Sequence, residues 1–224
     1  MYLCDQVIHC QRDNGRGILQ VMKLLVGLGN IGESYDRTRH NVGFWAIDAF
    51  AHSIEVHQPL TWKTEKKFFS QIAETTWQIT GTNTVEKIYL IKPTTFMNDS
   101  GKAVAAVANF YNIPTSDIWV IHDDVDFPVG VLKIREGGSS AGHNGILSII
   151  ESLGSDKFWR FRIGVGRPLG KEEKYNVIKH VLRVFSAPDH RKMQEVIKHT
   201  IAAIELALDK DLSAAMNRYN ISGK

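Results

Sequence analysis

The stretch KLLVGLGNIGESYDRTRHNVGFWAIDAF (residues 23–50) passes from an apolar run through a polar loop into a helical pattern. Its first seven residues are almost continuously apolar and end in glycine, which is typical of a strand buried on both faces of a sheet. The large apolar residues of its last part are spaced as one face of a helix; they are Phe44, Ile47 and Phe50. This order of strand, loop and helix predicts an α/β domain.

The rest of the chain repeats the alternation. Further strands are predicted at 68–80, 86–93, 117–124, 129–136 and 158–166, and further helices at 100–112, 142–154, 175–186 and 189–208. This pattern favours a single globular α/β domain with a mixed, mostly parallel β-sheet flanked by helices. Only a short proline-containing turn separates 117–124 from 129–136, so we expect these two strands to form an antiparallel pair. Ser100 is expected to cap the helix at 100–112.

The composition is ordinary for a soluble globular protein. The chain has 224 residues, of which 43% are apolar and 23% are charged, enough for one sizeable domain. No apolar run reaches transmembrane length. The two cysteines, Cys4 and Cys10, lie near the start, so a reducing cytoplasm fits better than a disulfide framework. Residues 1–21 show no periodicity and no secretory signal; we expect them to be a dispensable extension that precedes a domain at 22–224.

The charge of the chain is uneven. Residues 1–130 carry 11 Lys and Arg against 14 Asp and Glu, a formal charge of −3. Residues 131–224 carry 16 against 10, a formal charge of +6. Such asymmetry indicates either a polyanionic partner or simply a solvated basic surface, and charge alone does not choose between them.

Two short motifs have alternative interpretations. GLGNIG (27–32) matches a dinucleotide-binding loop, but the polar residues that follow it lack the apolar stripe of a helix packed on a sheet. GSSAG (138–142) matches a nucleophile elbow, but a charged segment precedes it instead of the strongly apolar strand that an elbow serine requires. The sequence therefore favours a tight turn at the first motif and a flexible loop at the second.

Four polar clusters follow predicted strands. They are Asn30 with His40 and Asn41, PTTFMNDSG (93–101) with Asn98, HDDVD (122–126), and AGHNG (141–145) with Asn144. Loops at the carboxyl ends of parallel strands converge on one edge of the sheet, so these residues can meet. A neutral imidazole such as that of His40 can take a proton from water, and a carboxylate on its other nitrogen stabilises the imidazolium. Amides can stabilise an oxyanion. The clusters thus suit hydrolysis.

The HDDVD segment is ambiguous from its residues alone. Its three carboxylates and one histidine could bind Mg²⁺ or Mn²⁺, which would suit a metal-dependent phosphodiesterase. One of the carboxylates could instead orient His40, or the segment could be a solvated turn. All three interpretations remain open at this level.

Five separated motifs together resemble the bacterial peptidyl-tRNA hydrolase family. They are GLGNIGESYDRTRHNVGF, KPTTFMNDSGKAV, HDDVDFPVGVLKIREGG, GHNGILSII and FWRFRIGVGRP, and the match runs from about Met22 to the C-terminus. The resemblance implies a monomeric cytoplasmic enzyme with a single α/β domain. It further implies hydrolysis, without a metal or another cofactor, of the ester between a peptide and the 3′ ribose of tRNA.

The resemblance also implies roles for individual residues. His40 matches the catalytic base, Asp123 the carboxylate that holds it, and Asn30 the amide that helps to distinguish peptidyl from free aminoacyl substrates. The residues that match contacts to the acylated 3′ end of tRNA are Tyr35, Phe96, Asn98 and Asn144. The residues that match positions linked to phosphate binding are Lys133, Arg135 and Arg162.

The sequence departs from the family pattern after Asn30, where Ile31 stands in place of the usual proline. Proline would stiffen the turn, so Ile31 leaves the placement of Asn30 uncertain, and we expect a modest effect on substrate discrimination. The loop GGSSAGHNG (137–145) also has Ser139, Ser140 and Ala141 where relatives often carry glycine and histidine. A non-catalytic RNA-binding relative with the same fold is the alternative function.

Overall fold

The computed structural model describes residues 22–55, 59–168 and 173–220, with the side chains of 173–176 excepted. The predicted extension at 1–21 lies outside these ranges and stays a prediction. The strands are β1 (Met22–Gly27), β2 (Lys63–Glu65), β3 (Ser70–Gln78), β4 (Val85–Pro93), β5 (Ile118–Asp124), β6 (Leu132–Glu136) and β7 (Trp159–Gly164). The helices are α1 (Val42–Glu55), α2 (Ser100–Tyr111), α3 (Asn144–Leu153), α4 (Glu173–Val181), α5 (Ala187–Asp209) and α6 (Leu212–Tyr219).

β1 lies at the centre of one seven-stranded sheet with the order β2-β3-β4-β1-β5-β7-β6. It pairs in parallel with β4 on one side and with β5 on the other. Leu24 and Val26 pack on one face of the sheet and Leu25 on the other, and all three are fully buried. The predicted central strand is therefore confirmed, because a strand covered on both faces must be apolar at successive positions.

The outer strands make the sheet mixed, as predicted, but one predicted pairing is wrong. β3 is antiparallel to β2 and β4, and β6 is antiparallel to β7. β5 and β6 are not paired, because β7 lies between them and pairs in parallel with β5. The physical reason is burial: β5 and β7 are mostly buried and suit the interior of the sheet, whereas β6 carries charged residues and suits its edge.

Helices cover both faces of the sheet and create two apolar cores. α1 and α5 pack on the face that presents Leu25, Trp119 and Phe161, and α2 and α3 pack on the opposite face. β2 and α6 were not predicted, and Ser100 is the first buried residue of α2 instead of its cap. Among the described residues, no helix combines the length and apolarity that crossing a membrane requires.

The loop that follows β1 is neither a dinucleotide-binding turn nor part of a helix. The next α-helix begins at Val42, ten positions after the last glycine of GLGNIG, so these glycines do not open a helix as those of a dinucleotide-binding loop do. GSSAG likewise follows the charged edge strand β6. The loop at GSSAG is confirmed, whereas the turn after β1 lies at residues 33–37 and not within GLGNIG.

Two glycines bring the end of β1 and the start of α1 into backbone contact. A Cβ atom on Gly43 would lie 2.4 Å from the backbone nitrogen of Leu28 and from the carbonyl oxygen of Ile121. A Cβ atom on Gly27 would lie 2.5 Å from the carbonyl oxygen of Gly43. The backbone N–H of Phe44 donates to Leu28 O at 3.2 Å. This close approach draws the two ends of the intervening loop, which carries Asn30 and His40, to one edge of the sheet.

We expect Gly43→Ala to lower the free energy of unfolding by about 1–3 kcal/mol, since the added methyl group would overlap with backbone atoms that cannot move independently. Alanine is otherwise the better helix former, so propensity would act in the opposite direction. Urea unfolding measures the effect, with His52→Ala in the same helix as a control because that side chain is 83% exposed. Equal stability of the two variants would contradict the close approach.

Candidate active site

The carboxylate of Asp123, at the end of β5, joins two histidines. Asp123 is only 2% exposed. Its Oδ1 atom lies 2.8 Å from Nδ1 of His40 and 2.9 Å from Nε2 of His143. His40 lies in a 3₁₀ turn (Arg39–Asn41) directly before α1, and His143 directly precedes α3. The sequence predicted the first pair; the participation of His143 was missed, since the predicted helix at 142–154 included this residue, whereas α3 begins one residue after it.

Hydrogen bonds define the tautomers of both rings. His143 Nδ1 accepts from the backbone N–H groups of Gly145 and Ile146 at 3.1 and 3.3 Å, so its proton is on Nε2 and is donated to Asp123. His40 donates from Nδ1, which leaves its Nε2 lone pair for another proton donor. Burial by itself would raise the pKa of Asp123, but the two histidines hold this pKa well below its usual range. The carboxylate is therefore ionised at neutral pH.

A third histidine, His122, adds no charge to the site. Its Nδ1 donates to the carbonyl oxygen of Asp123 at 2.7 Å, and its ring lies edge-on to that of His143 with the centroids 4.8 Å apart. Burial, reinforced by the neighbouring His143, lowers the pKa of His122 well below 6.5. A neutral His122 leaves Asp123 as the charged group between His40 and His143.

Asn30 is held firmly despite the isoleucine that follows it. The side chain of Asn41 accepts from the backbone N–H of Asn30 and donates to its carbonyl oxygen, both at 2.9 Å. The side-chain oxygen of Asn30 accepts from the backbone N–H of Met97 at 2.8 Å. These bonds restrain Asn30 on three sides, so its position does not require a proline at residue 31.

Met97 links this part of the site to the loop that carries Asn144. Its Sδ atom would lie 2.5 Å from a Cβ atom on Gly145, which shows that the two segments are in direct contact. Asn98 and Asn144 are exposed beside this contact. The rings of Tyr35 and Phe96 meet edge to face, with centroids 6.4 Å apart. The predicted convergence of the four polar clusters is thus what the structure shows.

The three carboxylates of HDDVD do not form one site. Asp124 accepts from Arg162 at 2.7 Å, and Asp126 accepts from Arg167 at 2.6 Å. Within the described ranges, the group whose nitrogen and oxygen atoms lie close enough to share a metal ion, within 4.8 Å, is His40, Asp123 and His143. Those atoms are hydrogen-bonded to one another. The interpretation of HDDVD as a three-carboxylate metal site is therefore wrong.

The predicted phosphate-binding residues share one face of the β6–β7 ladder. Lys133 lies opposite Arg162, and Arg135 lies opposite Arg160. Lys133 donates to the carbonyl oxygen of Asn220 at 2.5 Å, whereas Arg135 is exposed. Arg160, which sequence reasoning missed, is buried and donates to the carbonyl oxygens of residues 138 and 139. Burial and the nearby Arg135 lower its pKa to about 10, so Arg160 remains a cation that holds this loop.

Two clefts lie beside residues of the candidate site: Asn30 lines one of them and His40 lines the other. The first has a volume of about 400 Å³, and its lining includes Asn30, Asn41, Trp45 and Thr94. The second lies between α4 and the loop before α3; its lining includes His40, His143, Asn144, Val177, Ile178 and Val181.

Comparisons with known proteins give the family of the chain. The family model described as peptidyl-tRNA hydrolase matches residues 24–224. The peptidyl-tRNA hydrolase of Lactococcus lactis subsp. cremoris is 42% identical over 199 residues, which cover 88% of this chain and 99% of that protein. That of Dichelobacter nodosus is 42% identical over 197 residues, which cover 88% and 97%.

A solved structure gives the same result for the fold. The crystal structure of peptidyl-tRNA hydrolase from Acinetobacter baumannii superposes with a TM-score of 0.79 at 33% identity, covering 89% of this chain and 94% of that one. Sequence and fold agree over nearly the whole length of both proteins, and the chain belongs to the peptidyl-tRNA hydrolase family.

Proposed function

We propose that this chain hydrolyses the ester bond between a peptide, or an N-blocked amino acid, and the 3′ ribose of tRNA. The observation that carries the proposal is the contact between His40 Nδ1 and the buried, ionised carboxylate of Asp123 at 2.8 Å. A carboxylate in this position fixes the tautomer that presents Nε2 as a base and stabilises the imidazolium formed when that base is protonated.

In the proposed reaction, His40 Nε2 takes a proton from water while the water oxygen attacks the ester carbonyl carbon. The negative charge that develops on the carbonyl oxygen is stabilised by amide donors, for which Asn98 and Asn144 are placed at the exposed edge of the site. When the tetrahedral intermediate collapses, the bond to the 3′ oxygen breaks. His40 returns the proton to that oxygen, releasing the peptide acid and free tRNA. These steps require only water and this chain's residues.

The remaining predicted residues are assigned to substrate recognition. Asn30, held by Asn41 and Met97, helps to distinguish peptidyl from free aminoacyl substrates. The residues assigned to contact with the acylated 3′ end are Tyr35, Phe96, Asn98 and Asn144. Lys133, Arg135 and Arg162 are assigned to the phosphates of the acceptor stem, where contacts supply affinity and position without base specificity. The protein would act as a cytoplasmic monomer that recycles peptidyl-tRNA during translation.

His40→Ala is expected to reduce hydrolysis of an N-acetylaminoacyl-tRNA by at least about 10²–10⁴-fold, because the general base is lost, while tRNA binding is retained. Release of the blocked amino acid is measured with and without EDTA, and the exposed His52→Ala variant serves as control. Loss of activity in EDTA that Mg²⁺ restores would instead support metal-dependent chemistry. A wild-type protein that binds tRNA but releases nothing would be a non-catalytic relative.

Arg135→Ala is expected to raise KM for the tRNA substrate while kcat is unchanged. Arg135 is exposed on the basic face of the β6–β7 ladder and takes no part in the proposed chemistry. Loss of one phosphate contact should also reduce the salt dependence of KM by about one unit of slope. The control is Lys198→Ala on α5, whose side chain is 69% exposed. An identical salt dependence in Arg135→Ala and the wild type would remove Arg135 from the proposed interface.

Asn41→Ala is expected to reduce discrimination against free aminoacyl-tRNA by about tenfold, because both bonds that restrain the backbone of Asn30 are lost. The matched comparison is Ile31→Pro, at the exposed residue next to Asn30. It should change discrimination by less than about twofold, which corresponds to a free energy well below that of one hydrogen bond. The ratio of kcat/KM for N-acetylated and free aminoacyl-tRNA measures both effects. A large change in Ile31→Pro with none in Asn41→Ala would reverse this assignment.

A further inference from the structure

The carboxylate that holds His40 is shared with a second ring. His40 Nδ1 and His143 Nε2 both contact the same oxygen, Asp123 Oδ1, at 2.8 and 2.9 Å, and the two ring centroids are 5.1 Å apart. His40 reaches this oxygen from the loop after β1, and His143 reaches it from the loop before α3. Two donors on one acceptor oxygen compete for its negative charge.

The two nitrogens of His143 have separate partners. Nδ1 accepts from the first backbone N–H groups of α3, those of Gly145 and Ile146, and thereby caps the helix. Nε2 donates to Asp123. Because the cap requires a lone pair on Nδ1, it keeps the ring in the tautomer that donates from Nε2. The N-terminus of α3 therefore fixes the direction of the hydrogen bond between His143 and Asp123.

We propose that His143 is a positioning residue that orients the Asp123 carboxylate and limits how strongly this carboxylate retains a proton on His40. A neutral donor on Oδ1 disperses part of the carboxylate charge, so less of it is available to stabilise the imidazolium of His40. The base then releases its proton to the leaving 3′ oxygen more readily. This inference rests on the proposed function of His40 as the base.

Other charged groups near the pair are already engaged. From β5, His122 is neutral and donates to the carbonyl oxygen of Asp123, and Asp124 pairs with Arg162 of β7. Arg160 of β7 donates to the loop carbonyls at 138 and 139. From α4, His180 contacts the carbonyl oxygen of Val165 at 3.2 Å, and Lys179 is exposed. Among the residues that the structure describes, Asp123 is thus the carboxylate that contacts the rings of both His40 and His143.

Two substitutions separate the cap from the contact with Asp123. Asn at position 143 places an acceptor near the site of Nδ1, which retains the cap but is too short to reach Asp123. Gln places an amide donor near the site of Nε2, which retains the contact with Asp123 but weakens the cap. His143→Asn should therefore alter the chemistry, whereas His143→Gln should mainly alter stability.

The test follows kcat/KM for N-acetylaminoacyl-tRNA against pH, together with NMR titration of the His40 ring in the absence of substrate. For His143→Asn we expect the half-point of the acidic limb and the titration of His40 to move about one pH unit higher. Activity at acidic pH should then fall about tenfold and recover at alkaline pH. His143→Gln should keep both half-points near those of the wild type while its thermal midpoint is lower than that of His143→Asn.

The two readouts separate this inference from the proposed function. An unchanged titration of His40 in His143→Asn would overturn the inference whether or not the protein is active. An equal shift in His143→Gln and His143→Asn would also overturn it, because the effect would then follow loss of the ring and not loss of the donor. If the wild type fails to hydrolyse the substrate, the proposed function is wrong, and the NMR titration still decides whether His143 acts on His40.

Discussion

The buried charge of Asp123 is the constraint on which the arrangement of the active site depends. An ionised carboxylate removed from water is costly unless donors surround it. The side chains next to Asp123 along β5 cannot all donate to its carboxylate, because successive side chains of a strand point to opposite faces of the sheet. The two histidines that contact it therefore come from other elements. This requirement brings the loop after β1 and the loop before α3 to one point at the end of the central strands.

Backbone packing fixes the positions of the loops that meet there. The contact between Gly27 and Gly43 leaves no room for a side chain where α1 begins, and His40 lies three residues before Gly43 on the chain. From there a continuous set of contacts joins the polar loops. It passes from Asn41 to Asn30, from Asn30 to Met97, and from Met97 to Gly145 beside His143. A site held by several loops keeps its geometry because each loop restrains the next.

The sequence by itself determined most of the elements and the edge of the sheet at which the polar clusters meet. Continuous apolar runs and helical spacing depend on local periodicity, so β1, α1 and the mixed sheet could be predicted from them. The convergence of the polar clusters followed from strand direction alone. The motifs of the family, and not the periodicity, identified Asp123 as the carboxylate that holds His40. The pairing of β5 with β6 was wrong because a short connection between two strands does not prevent a later strand, here β7, from lying between them.

Only the tertiary structure decided how the site residues share their partners. Asp124 and Asp126 pair with arginines from β7 and the segment after it, whereas Asp123 is left to the two histidines. Asp123 is 83 residues from His40 and 20 from His143 in sequence, so no local pattern reveals that both rings contact one oxygen. The physical reason is that hydrogen bonds depend on distance and direction in space, whereas periodicity reports only which side of an element faces the core.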